Sequence, residues 1–275
     1  VRPLEIEWSA TREAIKADLA RAERARTDSA RTRFRNQARA SYAAFRERLG
    51  AYRVLDPACG SGNFLYLALQ HLKDLDLTIL NEAAALDLPR DDPRIGPETV
   101  RGIEINPYAA ELARLTIWIG ELQWVMRHGL SGTISRPILG QLRQIREVDA
   151  LVTDGREAEW PEADAIIGNP PFLGSQLLRA SLGDGYLKWL SSTFGVGIKD
   201  LCVYWFRKAH DHLKPGQRAG LVGTNSISQN TAREASLDYI VAKGGVITDA
   251  VSSQRWPGDA KVHVSLVNWV KQPTE

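Results

Sequence analysis

From Tyr52 onward the sequence alternates short apolar runs with amphipathic stretches, and this pattern limits the fold more than any other feature of the chain. Apolar segments at Tyr52–Asp56, Val100–Glu104, Val148–Val152, Ala163–Gly168, Ala219–Thr224, Val246–Val251 and Val262–Val270 read as strands. Between them, helical spacing puts Leu65, Leu69, Leu72 and Leu75 on an inward face, and Leu112, Leu115, Ile119, Leu122 and Met126 on a stripe of the next helix. Further helices are expected over Leu201–Leu213 and near Thr231–Val241. Strands separated by helices pair in parallel through right-handed crossovers, giving an α/β fold with a Rossmann-like, doubly wound sheet. The last two strands are joined through Trp256-Pro257-Gly258, a connection too short for a crossover helix, so they are expected to pair antiparallel.

Residues 9–49 are rich in Ala, Arg and Glu and nearly free of Gly and Pro, which reads as helix. Ile15, Leu19 and Ala22 share one face; Phe34, Ala38, Tyr42, Phe45 and Leu49 share another. Thr27-Asp28-Ser29 supplies N-cap chemistry between them, so residues 1–50 are expected as a helical hairpin on a catalytic core at 51–275. Arg21, Arg24, Arg26, Arg31, Arg33, Arg35 and Arg39 admit two readings: a DNA-binding face, or a solvated face interleaved with Glu13, Asp18, Glu23 and Asp28. The net charge of only +2 means that nucleic-acid affinity must come from such local clusters or from parts outside this chain.

Two cysteines, Cys59 and Cys202, do not make a disulfide framework, and a reducing cytosol is the natural compartment. No apolar run is long enough to span a bilayer and no signal core opens the chain, so a soluble, cytoplasmic protein is expected. The chain starts at Val1 and its only methionine is Met126, the pattern of a piece of a longer polypeptide. His210 and His212, two apart on a helix, point to different faces; they read as surface residues, and no metal is implied.

Two turns carry the chemistry. Asp56-Pro57-Ala58-Cys59-Gly60-Ser61-Gly62-Asn63 follows the first strand and opens a helix. Gly60 and Gly62 let the backbone turn tightly beneath a ligand, and the helix aims free N–H groups at it. Glu104 closes the second strand, where a carboxylate can accept from both ribose hydroxyls of a nucleoside. Asp149 is placed to accept from an adenine amino group; an ordinary loop acid is the plainer reading, and Asp154 is a rival for the role.

The second turn, Asn169-Pro170-Pro171-Phe172, also follows a strand. An aromatic exocyclic amine is a poor nucleophile because its lone pair is delocalised into the ring. Accepting both of its N–H protons, from the Asn169 side chain and the Pro170 carbonyl, biases the nitrogen toward tetrahedral geometry. Consecutive prolines fix φ and hold the acceptors in place, and Phe172 offers a flat face for a base. No Pro-Cys dipeptide is present to attack a pyrimidine ring.

These motifs resemble the amino-group DNA methyltransferases of the N6-adenine type: Asp56–Leu65 is similar to their motif I, Glu104 to the motif II acid, Asp149 to the motif III acid and Asn169–Phe172 to motif IV. Gly102–Trp124, Glu159–Gly174, Asp200–Ala209, Gly220–Ile227 and Val262–Val270 further resemble the methyltransferase region of MmeI-like type II restriction-modification enzymes. The resemblance implies a class I fold that depends on S-adenosyl-L-methionine (SAM), mostly parallel with the last strand antiparallel. It implies cofactor contacts at Asp56, Pro57, Ala58, Gly60, Gly62, Asn63, Phe64, Glu104, Ile105, Asp149 and Ala150, and catalytic roles for Asn169, Pro170, Pro171 and Phe172. The activity implied is methyl transfer from SAM to a flipped adenine in double-stranded DNA. Family members carry a motif X segment before this point and a target-recognition domain after it, both expected to lie outside this chain. Other readings are a SAM-binding structural module of a fused nuclease, inactive alone, or an N-methyltransferase acting on RNA or a protein glutamine. Residues 173–199, with Arg179, Tyr186, Lys188, Trp189, Phe194 and Lys199, suit either a lip over a flipped base or a capping helix.

Overall fold

The computed structural model describes residues 1–129, 142–256 and 263–273. The chain divides into two compact units: Val1–Tyr52, Tyr66–Val100 and Ile117–Leu142 form the first, and Arg53–Leu65, Arg101–Thr116 and Arg143–Glu275 the second.

The first unit is helical. Helices α1 (Arg2–Arg24) and α2 (Asp28–Ala51) are separated at the expected cap, where the Thr27 hydroxyl accepts the Ala30 N–H at 3.2 Å. Helix α1 starts earlier than its Ala-rich stretch suggests, because Pro3 is tolerated in a first turn, where its missing N–H has no helical partner to lose. Trp8 packs at 5.2 Å from Phe45 between ring centroids, and its indole N–H donates to Glu82 at 2.6 Å. Arg46, fully buried, is paired with Asp76 and donates to the Asp92 carbonyl. Arg21 and Arg31 pair with Asp18 and Asp28 one turn away, as the solvated-face reading expects, while Arg24, Arg26, Arg33, Arg35 and Arg39 are exposed.

The second unit is built on a sheet. Its strands are β1 (Val54–Asp56), β2 (Val100–Glu104), β3 (Ile145–Glu147), β6 (Ala165–Gly168), β7 (Arg218–Thr224), β8 (Gly245–Arg255) and β9 (His263–Lys271), in the order β3-β2-β1-β6-β7-β9-β8. Pairing is parallel from β2 to β3, from β1 to β6 and from β6 to β7; β9 runs antiparallel to both β7 and β8. The antiparallel expectation for the last two strands holds, although Pro257, Gly258 and Val262 lie outside the described residues. Helices α3 (Asn63–Ala84) and α4 (Pro107–Arg127) follow β1 and β2, and α5 (Ser175–Phe194) and α6 (Cys202–His212) lie between β6 and β7. Leu55, Ile103, Ile166 and Leu221 of the strands share one core with Leu187 and Leu190 of α5 and Tyr204 and Phe206 of α6.

Three expectations are corrected. The third strand is Ile145–Glu147, not Val148–Val152: the later run is apolar because Ala150 and Leu151 carry a turn into the core, before the short hairpin β4 (Val152–Thr153) and β5 (Arg156–Glu157). On α4 the stripe of large apolar residues is not the buried one. Leu115, Ile119 and Met126 are exposed, whereas Ala110, Ala113, Ile117, Trp124 and Val125 are buried. The small residues are inside because the backbone comes close there: a Cβ on Gly62 would stand 3.0 Å from the Ala113 Cα. His210 is buried rather than on the surface, with Nε2 3.1 Å from the Lys243 carbonyl, and half-buried His212 meets the Pro161 carbonyl at the same distance. Burial lowers both imidazole pKa values, so each ring is neutral and spends an N–H on a carbonyl.

Candidate active site

In an open α/β sheet, ligands sit beyond the carboxyl ends of the strands where the order reverses, which here is between β1 and β6. A cavity of about 310 Å³ lies there, lined by Pro57, Ala58, Ile103, Glu104, Ile105, Val148, Asp149, Ala150, Asn169, Pro171, Leu182, Tyr186, Leu201 and Trp205. It gathers residues from the ends of four strands and from α5 and α6.

The glycine turn and Glu104 are stapled together. One Glu104 oxygen accepts the Gly60 N–H at 2.9 Å and the other the Asn106 N–H at 2.8 Å, leaving each oxygen a second lone pair. The Asn106 side chain then caps α4 by accepting the Tyr108 and Ala109 N–H groups. Gly60 and Gly62 take φ of 52° and 84°; a Cβ on Gly60 would meet nothing, so there the dihedral angle alone calls for glycine.

Asp56 lies under this turn, 1% exposed. One oxygen accepts the Ala58 N–H at 3.0 Å and the other has no hydrogen-bond partner among the described residues. Burial, with the nearby Glu104 charge adding to it, raises its pKa to about 7. Gly168 lets the end of β6 approach this carboxyl, since a Cβ there would collide with Asp56.

The next residue, Asn169, lines the cavity, and its Oδ1 is buried with no hydrogen-bond partner among the described residues. Pro171 also lines the cavity, Pro170 is buried, and Phe172 is half-buried against the hydrophobic core rather than in the cavity wall. Asn63 and Phe64 are exposed at the start of α3. Asp149 lines the cavity, whereas Asp154 sits exposed at the β4–β5 hairpin tip with φ of 52° and is not among the lining residues.

Leu182, Tyr186, Leu201 and Trp205 complete the wall and escape the motif reading. The Trp205 indole N–H donates to the Pro57 carbonyl at 3.2 Å, across 148 residues of sequence, and the Tyr186 hydroxyl donates to Asp149 at 2.9 Å. Residues 175–194 form α5, with Leu178, Leu187, Leu190 and Phe194 buried and Leu182 and Tyr186 lining the cavity.

A sheet of this order with an antiparallel β9, glycine turn, strand-end acids and Asn-Pro-Pro turn defines a class I SAM-dependent methyltransferase fold. The family model described as "MmeI, DNA-methyltransferase domain" matches residues 31–274, and the chain belongs to that family. Among curated proteins it is 26% identical over 230 residues to DNA methyltransferase A of Bacillus subtilis (strain 168), covering 80% of this chain and 26% of that protein. Among solved structures it is similar to the type IIL restriction-modification enzyme MmeI in complex with DNA, with TM-score 0.67 and 24% identity over 86% of this chain and 33% of that one. The ATP-dependent type ISP restriction-modification enzyme LlaBIII bound to DNA shares the fold with TM-score 0.54 and 14% identity, over 82% of this chain and 17% of that one. The chain thus spans about a third or less of these relatives.

Proposed function

We propose that this chain is the catalytic core of an N6-adenine DNA methyltransferase of the restriction-modification type, acting on an adenine flipped out of duplex DNA. The observation that carries this reading is Asn169, which lines the cavity and whose side-chain oxygen is buried with no hydrogen-bond partner among the described residues. An unpaired buried acceptor is costly to the folded chain. It is accounted for when an amine donor completes it.

The residues present fit SAM. Asp56 offers a buried unpaired acceptor, Glu104 and Asp149 retain free lone pairs at the cavity, and the glycine turn leaves room for close approach. When bound, SAM supplies an electrophilic methyl group on a sulfonium. The chain's part is to orient. Asn169 and the Pro170 carbonyl accept the two N–H bonds of the target amine and free its lone pair for attack, while the stiff Pro170-Pro171 backbone fixes both acceptors beforehand. Transfer would leave the cofactor as a neutral thioether, and the surplus proton of the amine held by Asn169 and Pro170 would pass to solvent. Similar acceptors serve amines in RNA or on glutamine, so the substrate is decided by the product.

In the full-length protein, Asn169→Ala is expected to lower methyl transfer by roughly 100- to 1,000-fold, as loss of one transition-state partner does, with SAM affinity unchanged. Nucleoside analysis of labelled duplex DNA should place the methyl on adenine N6. Retained turnover, or label on cytosine, RNA or protein alone, sinks the reading.

A further inference from the structure

We propose that Tyr186 is a positioning residue that tunes the cavity for the adenine ring of the cofactor, acting through Asp149. This rests on the reading of the cavity as the SAM site.

The lone pairs of Asp149 can be counted. Its Oδ1 accepts two backbone N–H groups, from Leu151 at 2.7 Å and Val152 at 3.2 Å, and so is filled. Its Oδ2 accepts the Tyr186 hydroxyl at 2.9 Å, so that the described residues leave a single lone pair on the carboxylate. Asp149 and Tyr186 both line the cavity. The remaining acceptor is therefore held in one orientation, and what it accepts must be a donor. The exocyclic amine of adenine qualifies; the 6-oxo group of hypoxanthine meets lone pair with lone pair.

Tyr186 is suited to a fixed donor role. Burial and the Asp149 charge raise its phenol pKa far above the ordinary value, so it keeps its proton across the working range of pH. Its ring packs against the core of the second unit, which fixes the hydroxyl from behind. Three residues earlier, Gly183 leaves helical geometry at φ 77°, ψ 162°, a conformation that is essentially glycine's alone. A Cβ at Gly183 would meet nothing within 4 Å, so glycine serves the backbone break and not the packing. The break sets the direction from which the following turn carries Tyr186 to Asp149.

The test uses the full-length protein and titrates S-adenosylhomocysteine and its inosine counterpart into wild type, Tyr186→Phe, Asp149→Ala and the double variant. Tyr186→Phe keeps the ring, and its thermal midpoint reports whether the fold is intact. The expected result is roughly tenfold weaker binding of the adenosine ligand, because Asp149 is no longer held with its free lone pair toward the amine and must be ordered on binding. Discrimination against the inosine ligand should narrow, and the effect of Tyr186→Phe should vanish once Asp149 is alanine. Unchanged or tighter binding by Tyr186→Phe overturns the proposal, as does an equal loss for both ligands that persists without Asp149, the signature of a purely structural role. If Asp149→Ala itself binds the adenosine ligand like wild type, the cavity reading beneath the proposal falls, and the Tyr186 role falls with it.

Discussion

Asp56 closes β1 almost wholly out of solvent, with one carboxylate oxygen on the Ala58 N–H and the other without a hydrogen-bond partner among the described residues. Its pKa rises from an unfolded value near 4 to about 7 because burial penalises the charge, with Glu104 adding repulsion. Between those two values the folded chain holds a proton that the unfolded chain has released. Stability in the absence of ligand therefore falls as pH rises from about 4 to about 7, by an amount on the order of a few kcal/mol. Asp56→Asn is expected to remove this slope, so urea denaturation should find the variant more stable than wild type at pH 8 and the gap closing toward pH 5. An equal slope in both proteins would exclude a neutral Asp56. Glu104 teaches a different lesson at the same scale. Its oxygens also hold the Gly60 and Asn106 N–H groups. Glu104→Ala thus removes the staple between two turns along with any ribose acceptor.

The β1–α3 turn shows how an element constrains its glycines for different reasons. Gly60 needs only its positive φ, whereas Gly62 has a positive φ and a backbone neighbour, Ala113, in the way of any side chain. Gly60→Ala is expected to cost about 1 kcal/mol by strain alone and Gly62→Ala about 2–4 kcal/mol, since α4 must also shift. Chemical denaturation that ranks the two equally would remove the packing argument. The same close approach explains why α4 was hard to read. Hydropathy favours Leu115, Ile119 and Met126, which are exposed, while the buried line relies on Ala110 and Ala113, whose small size carries little hydropathy signal. β3 was hidden similarly: Ile145-Arg146-Glu147 has one apolar residue, and the apolar run after it belongs to a turn. The strands that were legible, β1, β2, β6, β7, β8 and β9, each carry at least two large apolar residues, in a run as in Ile166-Ile167 or interrupted by polar ones as in Val264, Leu266, Val267 and Trp269. Within the site, the turns that lie contiguous in sequence were legible. Trp205 was not, and for Tyr186 only the segment was, because their partners Pro57 and Asp149 are 148 and 37 residues away and only the fold joins them.

At the scale of the whole molecule, every residue lining the cavity belongs to the second unit. Helices α3 and α4 nevertheless begin in the second unit and end in the first, unbroken across the division. Helix formation is cooperative along a chain, and a helix whose first turns melt loses the nucleus for the rest. The second unit holds the first ten residues of α4 but only the first three of α3, so its unfolding removes the starting turns of α4 above all, and it is chiefly through α4 that the two parts are coupled thermodynamically. Calorimetry of this chain is expected to show one transition. SAM at a hundred times its Kd adds about 2.7 kcal/mol to the folded state, enough to raise the midpoint of that transition by roughly 5–10 °C. Two transitions, with only one of them moved by SAM, would show that helical continuity does not couple the units. They would also identify the moving transition as that of the sheet-bearing unit, because only the part that holds the ligand gains from it.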